Sequence, residues 1–279
     1  IMIVFAVGDM IAAGASVKIG IKLGEKKDKD ASNIFSVALL LTFIINIIFM
    51  ILSLFFAKDI IFILIKDKSL ASLSYKFAYP FILGLPIIAP FFVLDNYLRI
   101  CGKANMSMWV NIAVSVLNII LDAILIGYFK LGIEYAAIAS ALSMAFGAII
   151  FLYPFIMKKV VLRFTKPKIN MKEITQILYN GSSDFLGNIS GSIISIITNA
   201  VLLHYGGSVA VAVYSIIMYI DSLLSPLLFG IIGSIEPVIS YNYGAKNYER
   251  ITEFFKITCV VSLAISAITT IIMFVFPGF

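Results

Sequence analysis

ASNIFSVALLLTFIINIIFMILSLFFA, residues 31–57, contains no charged side chain. A helix of about 20 apolar residues crosses the roughly 30 Å of hydrocarbon in a bilayer. Five more charge-free runs follow outward from it, at 77–94, 104–121, 135–157, 185–220 and 257–279. The run 185–220 is too long for one helix and breaks at the turn signal Tyr205-Gly206-Gly207-Ser208. The run 1–17 holds one acid, Asp9, and 209–240 holds Asp221 and Glu236. The pattern predicts eight membrane helices, over 1–17, 34–57, 77–98, 106–129, 135–157, 182–203, 209–240 and 255–277. No strand is expected, because barrel strands alternate over segments of about ten residues and these runs are continuous. The segment 60–65 is too short to span and is expected along the interface. The fold class is an all-α polytopic membrane bundle.

Composition agrees. Of 279 residues, 61% are hydrophobic and 13% charged, with a mean hydropathy of +1.06, against about 45–50% and about 25% in soluble domains. That excludes a soluble enzyme, a disordered chain and an ordinary nucleic-acid binder. The net charge of +6 sits in short clusters between apolar runs, as in loops that flank a bilayer, so lipid rather than nucleic acid is the expected partner. With eight crossings, one set of alternate loops holds Lys18, Lys22, Lys26, Lys27, Lys29, Arg99, Lys103, Lys158, Lys159, Arg163, Lys166, Lys168, Lys172, Lys246, Arg250 and Lys256. The other holds Lys58, Lys66, Lys68, Lys76 and Lys130. Sixteen basic residues against five place the first set in the cytoplasm. Cys101, Cys259 and the single histidine, His204, offer no zinc or haem ligand set. The cysteines are expected as small buried hydrophobes and His204 at the interface. No nucleophile–base constellation stands out, so no enzyme is expected. Beginning at Ile1 inside an apolar run and closing on Pro277-Gly278-Phe279, the chain reads as an interior stretch of a longer protein.

An internal repeat organises the helices. Gly24-Glu-Lys-Lys-Asp-Lys-Asp-Ala-Ser-Asn-Ile-Phe35 is similar to Gly244-Ala-Lys-Asn-Tyr-Glu-Arg-Ile-Thr-Glu-Phe-Phe255, one constant offset carrying Gly24 onto Gly244 and Phe35 onto Phe255. Each follows a Gly/Ser-rich apolar helix and leads into another. Helix one therefore corresponds to helix seven. A six-helix repeat keeps both copies in the same orientation, related by an axis along the membrane normal.

These segments resemble the multidrug and toxic compound extrusion (MATE) transporters. Gly14-Ala-Ser16, Gly20 and Gly24-Glu-Lys-Lys-Asp are similar to that family's second helix and following loop. Asn118-Ile-Ile-Leu-Asp122 and Leu131-Gly132-Ile133 through Ala136-Ala137-Ile138-Ala139-Ser140 follow the same pattern. Glu236-Pro237 through Tyr241-Asn242-Tyr243-Gly244-Ala245-Lys246-Asn247 resembles the eighth-helix end of the bacterial MepA-like branch. The resemblance covers helices two to nine of twelve. It implies two parallel six-helix lobes around a V-shaped cavity: 1–160 as an N-terminal lobe without its first helix, 161–180 as a cytoplasmic connector, and 181–279 as part of a C-terminal lobe without its last three helices. It also implies secondary efflux of organic, often cationic, compounds across the bacterial inner membrane against Na+ or H+ entry. No further cofactor is implied, and a monomer is expected. A lipid-linked oligosaccharide flippase of the same superfamily is the alternative. It would want a cationic cavity, and no lysine or arginine falls inside a predicted span.

Polar side chains within the spans are the candidate site residues, since burying them costs free energy. Asn111, Ser115, Asn118 and Asp122 share one face at the helical period. A carboxylate with an amide oxygen one turn away presents the hard oxygens that Na+ prefers, and the same carboxyl, once desolvated, can hold a proton. An interhelical packing stripe is the other reading. By resemblance, Asn118 and Asp122 carry the cation site with Ser140 nearby, together with an acid on the absent first helix. A second stripe, Asp184, Asn188, Ser192, Ser195 and Asn199, is expected to line the cavity of the second lobe, Asp184 alternatively capping its helix. Asp221 is read as either a lumen contact or a bystander. Glu236 beside Pro237 either attracts cations or reaches the interface. Asp95 is expected to pair with Arg99 at i,i+4. Asp9 has no assigned role. Pro80, Pro86 and Pro90 in one helix suggest a hinge or simple tolerance of proline.

Overall fold

The computed structural model describes residues 2–65 and 67–275, with side chains at all of these except 2–5, 64, 192, 208, 220, 223, 272, 273 and 275. Among them the regular structure is entirely helical. The order is α1 (Met2–Gly24), α2 (Asp28–Leu64), α3 (Lys68–Ile100), α4 (Ala104–Asp122), a π-helical turn (Ala123–Tyr128), α5 (Glu134–Ile156), α6 (Met171–Gly244) and α7 (Tyr248–Val275). Within α6 the backbone leaves helical geometry at Gly207 (φ 64°, ψ −163°), which separates Met171–Gly207 from Val209–Gly244. The expected break is there, and glycine is the residue that adopts positive φ without strain. Among the described residues seven helical segments, all but α1, are long and apolar enough to cross a membrane.

Several boundaries differ from expectation. α2 continues without interruption to Leu64, so 60–65 is the last part of a long helix and not a separate interfacial element. The next helix starts at Asp67, whose carboxylate accepts from the backbone N–H groups of Ser69 (2.8 Å) and Leu70 (3.2 Å). The predicted helix 106–129 is an α-helix only to Asp122, after which the backbone widens into the π-helical turn. α6 starts at Met171, with the Asn170 side chain accepting from Lys172 N–H at 3.0 Å. Asp184 therefore lies several turns inside α6 and is not its cap. The first turns of α6 carry polar residues and escape an apolar-run criterion. Cys259 is exposed on α7, whereas Cys101 is half-buried. An apolar side chain on a membrane helix gains nothing by choosing protein over lipid, so burial of Cys259 is not required.

The chain forms two compact units, Ile1–Ile19 with Asp28–Leu186, and Gly20–Lys27 with Gly187–Phe279. In the first, α3 packs against both α2 and α5, and α4 packs on α5. Four fully buried aromatic residues mark its core: Phe35, Tyr97, Phe151 and Phe155. Phe35 stacks on Phe155 (centroids 4.9 Å apart, planes 15° apart) and meets Tyr97 edge-on at 5.6 Å. Such geometries add to the area these rings bury. The three prolines of α3 lie within a continuous helix. After α5 the chain folds back in extended form along the start of α2. Ser32 Oγ accepts from Arg163 N–H (3.2 Å), Ser36 Oγ from Thr165 N–H (3.0 Å) and Asn33 Oδ1 from Lys168 N–H (2.8 Å).

In the second unit the repeat is visible in atomic detail. Lys26 and Lys246, equivalent positions of the two copies, both adopt positive φ, 60° and 59°. Lys27 N–H donates to Lys22 O at 2.9 Å, and Asn247 N–H to Asn242 O at 2.9 Å. The two turns also meet reciprocally. A Cβ on Gly24 would overlap Tyr241 O, and one on Gly244 would overlap Ile21 O. Tyr241 and Ile21 are themselves repeat equivalents. Two copies of one turn thus pack on each other about a local two-fold, with backbone against backbone, which only glycine permits.

Gly24→Ala and Gly244→Ala should each lower the melting temperature of the detergent-purified protein, by the equivalent of about 1–3 kcal/mol of overpacking. Gly8→Ala, where a Cβ meets nothing within 4 Å, should leave it unchanged. Equal melting of all three variants would contradict the reciprocal contact.

Candidate functional site

α4 carries its polar residues on one face, and their partners divide that face into two groups. Near the start of α4, Ser107 and Asn111 reach across to α3. Asp95 there is only 6% exposed. It pairs with the Arg99 guanidinium one turn on, and its Oδ1 accepts from the Ser107 hydroxyl. Asn111 Nδ2 donates to the same Oδ1 at 3.0 Å, and Arg99 Nε donates to Ser107 Oγ at 3.2 Å. The expected Asp95–Arg99 pair is thus part of a four-residue network joining two helices. Ser107 is not among the sequence candidates. Its place one helical turn before Asn111 is the signal that could have found it.

Further along, Ser115 Oγ donates to the Asn111 carbonyl one turn earlier at 3.0 Å, a bond within its own helix. Asn118 Nδ2 donates to Ser140 Oγ on α5 at 3.1 Å. The structure therefore brings together two of the three cation-site residues named from the sequence. The third, Asp122, is the last α-helical residue before the π-helical turn. Its Oδ1 is buried without a hydrogen-bond partner among the described residues. π-Helical turns in α-helices recur at functional positions, and this one begins at the residue after the carboxylate. A buried carboxylate oxygen lacking a donor carries a desolvation cost that a cation or a proton would relieve. A carboxylate, an amide and a hydroxyl are oxygen ligands of the hard type. Among the described residues no group of three or more His, Cys, Asp or Glu could hold a metal ion.

On α6, Asn199 Nδ2 donates to Ser195 O at 2.9 Å, satisfying itself within the helix. Asn188 is exposed and Glu236 half-buried. The side chain of Ser192 lies outside the described residues. Asp221 is exposed, and its Oδ1 accepts from Ser225 Oγ at 2.9 Å. Asp9 and Asp184 both belong to the first unit. There α1 and α6 touch through Gly14 and Gly181, where a Cβ would overlap the carbonyl oxygens of Ile177 and Met10 respectively.

Outside the helices, Glu25 is held at a pKa of about 2, below the usual carboxylate range, by hydrogen bonds from Lys27 and Lys22.

The MatE family model matches residues 1–124 and 185–279. The chain belongs to the MatE family. Among curated MatE relatives, multidrug export protein MepA of Staphylococcus aureus strain NCTC 8325 is 27% identical over 278 residues, covering 96% of this chain and 61% of that protein. MepA of Staphylococcus saprophyticus is 25% identical over 274 residues, covering 98% and 60%. The chain thus spans about three fifths of the length of these relatives. Among solved structures, an outward-facing multidrug resistance MATE transporter of the MOP superfamily superposes with a TM-score of 0.91 at 24% identity, covering 99% of this chain and 62% of that one. A MATE crystal structure in complex with MaD5 gives 0.92 at 25% identity, covering 99% and 63%.

Removing Asp95 strands Arg99, Ser107 and Asn111. Asp95→Ala should destabilise the protein by about 2–4 kcal/mol, below the figure for a wholly buried pair because Arg99 keeps contact with water. Asn118→Ala, which loses one neutral hydrogen bond, should cost about 1 kcal/mol. Thermal unfolding in detergent distinguishes the two; a smaller loss for Asp95→Ala would refute the network.

Proposed function

We propose that this chain is the larger part of a secondary transporter that exports organic, often cationic, compounds from a bacterial cell by alternating access, driven by inward movement of Na+ or H+. Family membership and likeness to multidrug export proteins support the transport class. The observation carrying the coupling role is the buried Oδ1 of Asp122, which has no hydrogen-bond partner among the described residues and lies one helical turn on from Asn118, the residue that bonds Ser140. An oxygen left without a donor in a low-dielectric region is stabilised when a cation or proton arrives and destabilised when it leaves. Such a group changes the relative free energy of two conformations if only one of them admits the ion, which is what coupling requires. Asn118 and Ser140, already bonded to each other, would supply neutral oxygens at little cost in ordering. The compounds exported would be taken up in the bundle interior, where Asn188, Ser195 and Asn199 add polar contacts, with Asp221 and Glu236 as carboxylates attractive to cations. The transporter would act as a monomer in the plasma membrane.

The test uses the complete protein that carries this chain, expressed in cells lacking their own efflux pumps. Asp122→Asn removes the charge with little change in shape. It should abolish ethidium efflux while membrane expression stays at wild-type level, and Asn118→Ala should reduce efflux by about tenfold. Efflux by Asp122→Asn at the wild-type rate would overturn the coupling role. Vesicles with an imposed sodium or proton gradient then identify the ion.

A further inference from the structure

The return of the chain after α5 builds a second site on the first unit, away from Asp122. Where the extended segment 158–165 crosses the start of α2 and the end of α3, it encloses a cavity of about 650 Å³. Lys29, Lys158, Lys159 and Arg163 line it, and among the described residues Asp28 is the only carboxylate that does. Among the described residues none of the four cations forms an ion pair. At the α1–α2 turn, by contrast, Lys22 and Lys27 share the carboxylate of Glu25. Lys159 is steered by Tyr153, donating to its hydroxyl at 3.2 Å with Nζ 4.8 Å from the ring centre. An ammonium has three donors, so others stay available.

The walls are fixed. Ser32 and Ser36 hold the backbone of Arg163 and Thr165. Within the segment, the Val160 and Leu162 side chains are buried. Cys101 at the end of α3 accepts from the backbone N–H groups of Leu162 and Val161. Burial pushes its thiol up to about 11, so it adds no negative charge at neutral pH.

Thr165 also lines a second, apolar cavity of about 510 Å³, bounded by α2, α3 and α5. Leu40 and Phe43 of α2, Ile149 and Leu152 of α5, and Phe164 form its walls. On α2 it extends from Ser36 to Phe43, about 10 Å of helical rise, a large part of the roughly 15 Å of one leaflet. A basic cavity at the helix ends and an apolar groove along the helices, with Thr165 in the wall of both, have together the polarity of an anionic phospholipid. Basic pockets between membrane helices on the cytoplasmic side bind such headgroups.

We propose that this composite cavity binds one anionic phospholipid, its phosphate among Lys29, Lys158, Lys159 and Arg163 and one acyl chain in the groove below Thr165.

The complete transporter, purified in detergent, is titrated with phosphatidylglycerol or phosphatidylcholine and followed by native mass spectrometry. Phosphatidylglycerol should bind about tenfold more tightly. The variant Lys158→Asn/Lys159→Gln/Arg163→Gln should lose that preference. Its three side chains are exposed, and the backbone bond of Arg163 does not need its side chain. Asparagine also tolerates the positive φ at position 158. Lys166→Gln/Lys168→Gln/Lys172→Gln, an equal charge change in the same connector outside the cavity, should keep the preference. Ala145→Phe, which fills the groove, should weaken phosphatidylglycerol with the basic residues intact. Equal losses in the two triple variants would reduce the effect to general surface charge and overturn the site. Full binding by Ala145→Phe, or displacement of the lipid by millimolar inorganic phosphate, would overturn the phospholipid as its ligand.

Discussion

Hydrocarbon offers a peptide group no hydrogen-bond partner, and each group left unmatched there costs several kcal/mol. A chain that enters the bilayer must therefore close its backbone bonds within each helix or around a closed barrel, and the long continuous apolar runs here take the helical solution. The same constraint governs the polar side chains. Asn46 donates to Thr42 O at 2.8 Å, Asn111 to Ser107 O at 3.0 Å and Ser143 to Ala139 O at 2.8 Å, each one turn back along its own helix. Where a carboxylate enters, as at Asp95, a guanidinium, a hydroxyl and an amide converge on it. The hydroxyls of Thr42 and Tyr97 are also unmatched, but a neutral hydroxyl costs far less to strand than an ionised carboxyl. Against that background the unmatched oxygen of Asp122 is conspicuous.

The second organising feature is the contact between the two copies of the glycine turn. A single helix–turn–helix sequence used twice, at 24–35 and again at 244–255, produces surfaces that can face each other about a two-fold. The glycines let the backbones approach until the carbonyl oxygen of one copy occupies the space a Cβ of the other would need. In a membrane, where apolar side chains gain little by leaving lipid for protein, such close backbone packing is a main source of helix association.

The segment between α5 and α6 behaves differently from a simple tether. Three hydroxyl or amide side chains of α2 hold its backbone at Arg163, Thr165 and Lys168. Positive charge on this face orients the chain across the bilayer. Held in this way, part of the segment forms one wall of the cavity lined by Lys29, Lys158, Lys159 and Arg163.

Read alone, the order of amino acids already specifies the helices, their approximate number, the break at Gly207, the repeat and the Asp95–Arg99 pair. Length of apolar run, turn chemistry and i,i+4 spacing are local properties that a bilayer enforces without reference to neighbours. The same reading groups Asn118, Asp122 and Ser140 as candidates, two of which the fold brings to hydrogen-bonding distance. Packing in three dimensions settled the rest. α2 runs on to Leu64, and Asp184 lies deep inside α6. A π-helical turn follows Asp122, Ser107 completes the Asp95 network, and four cations gather where 158–165 crosses α2 and α3. Those outcomes depend on which surfaces meet between distant parts of the chain, as between Ser32 and Arg163, and no periodicity within a single segment encodes that meeting.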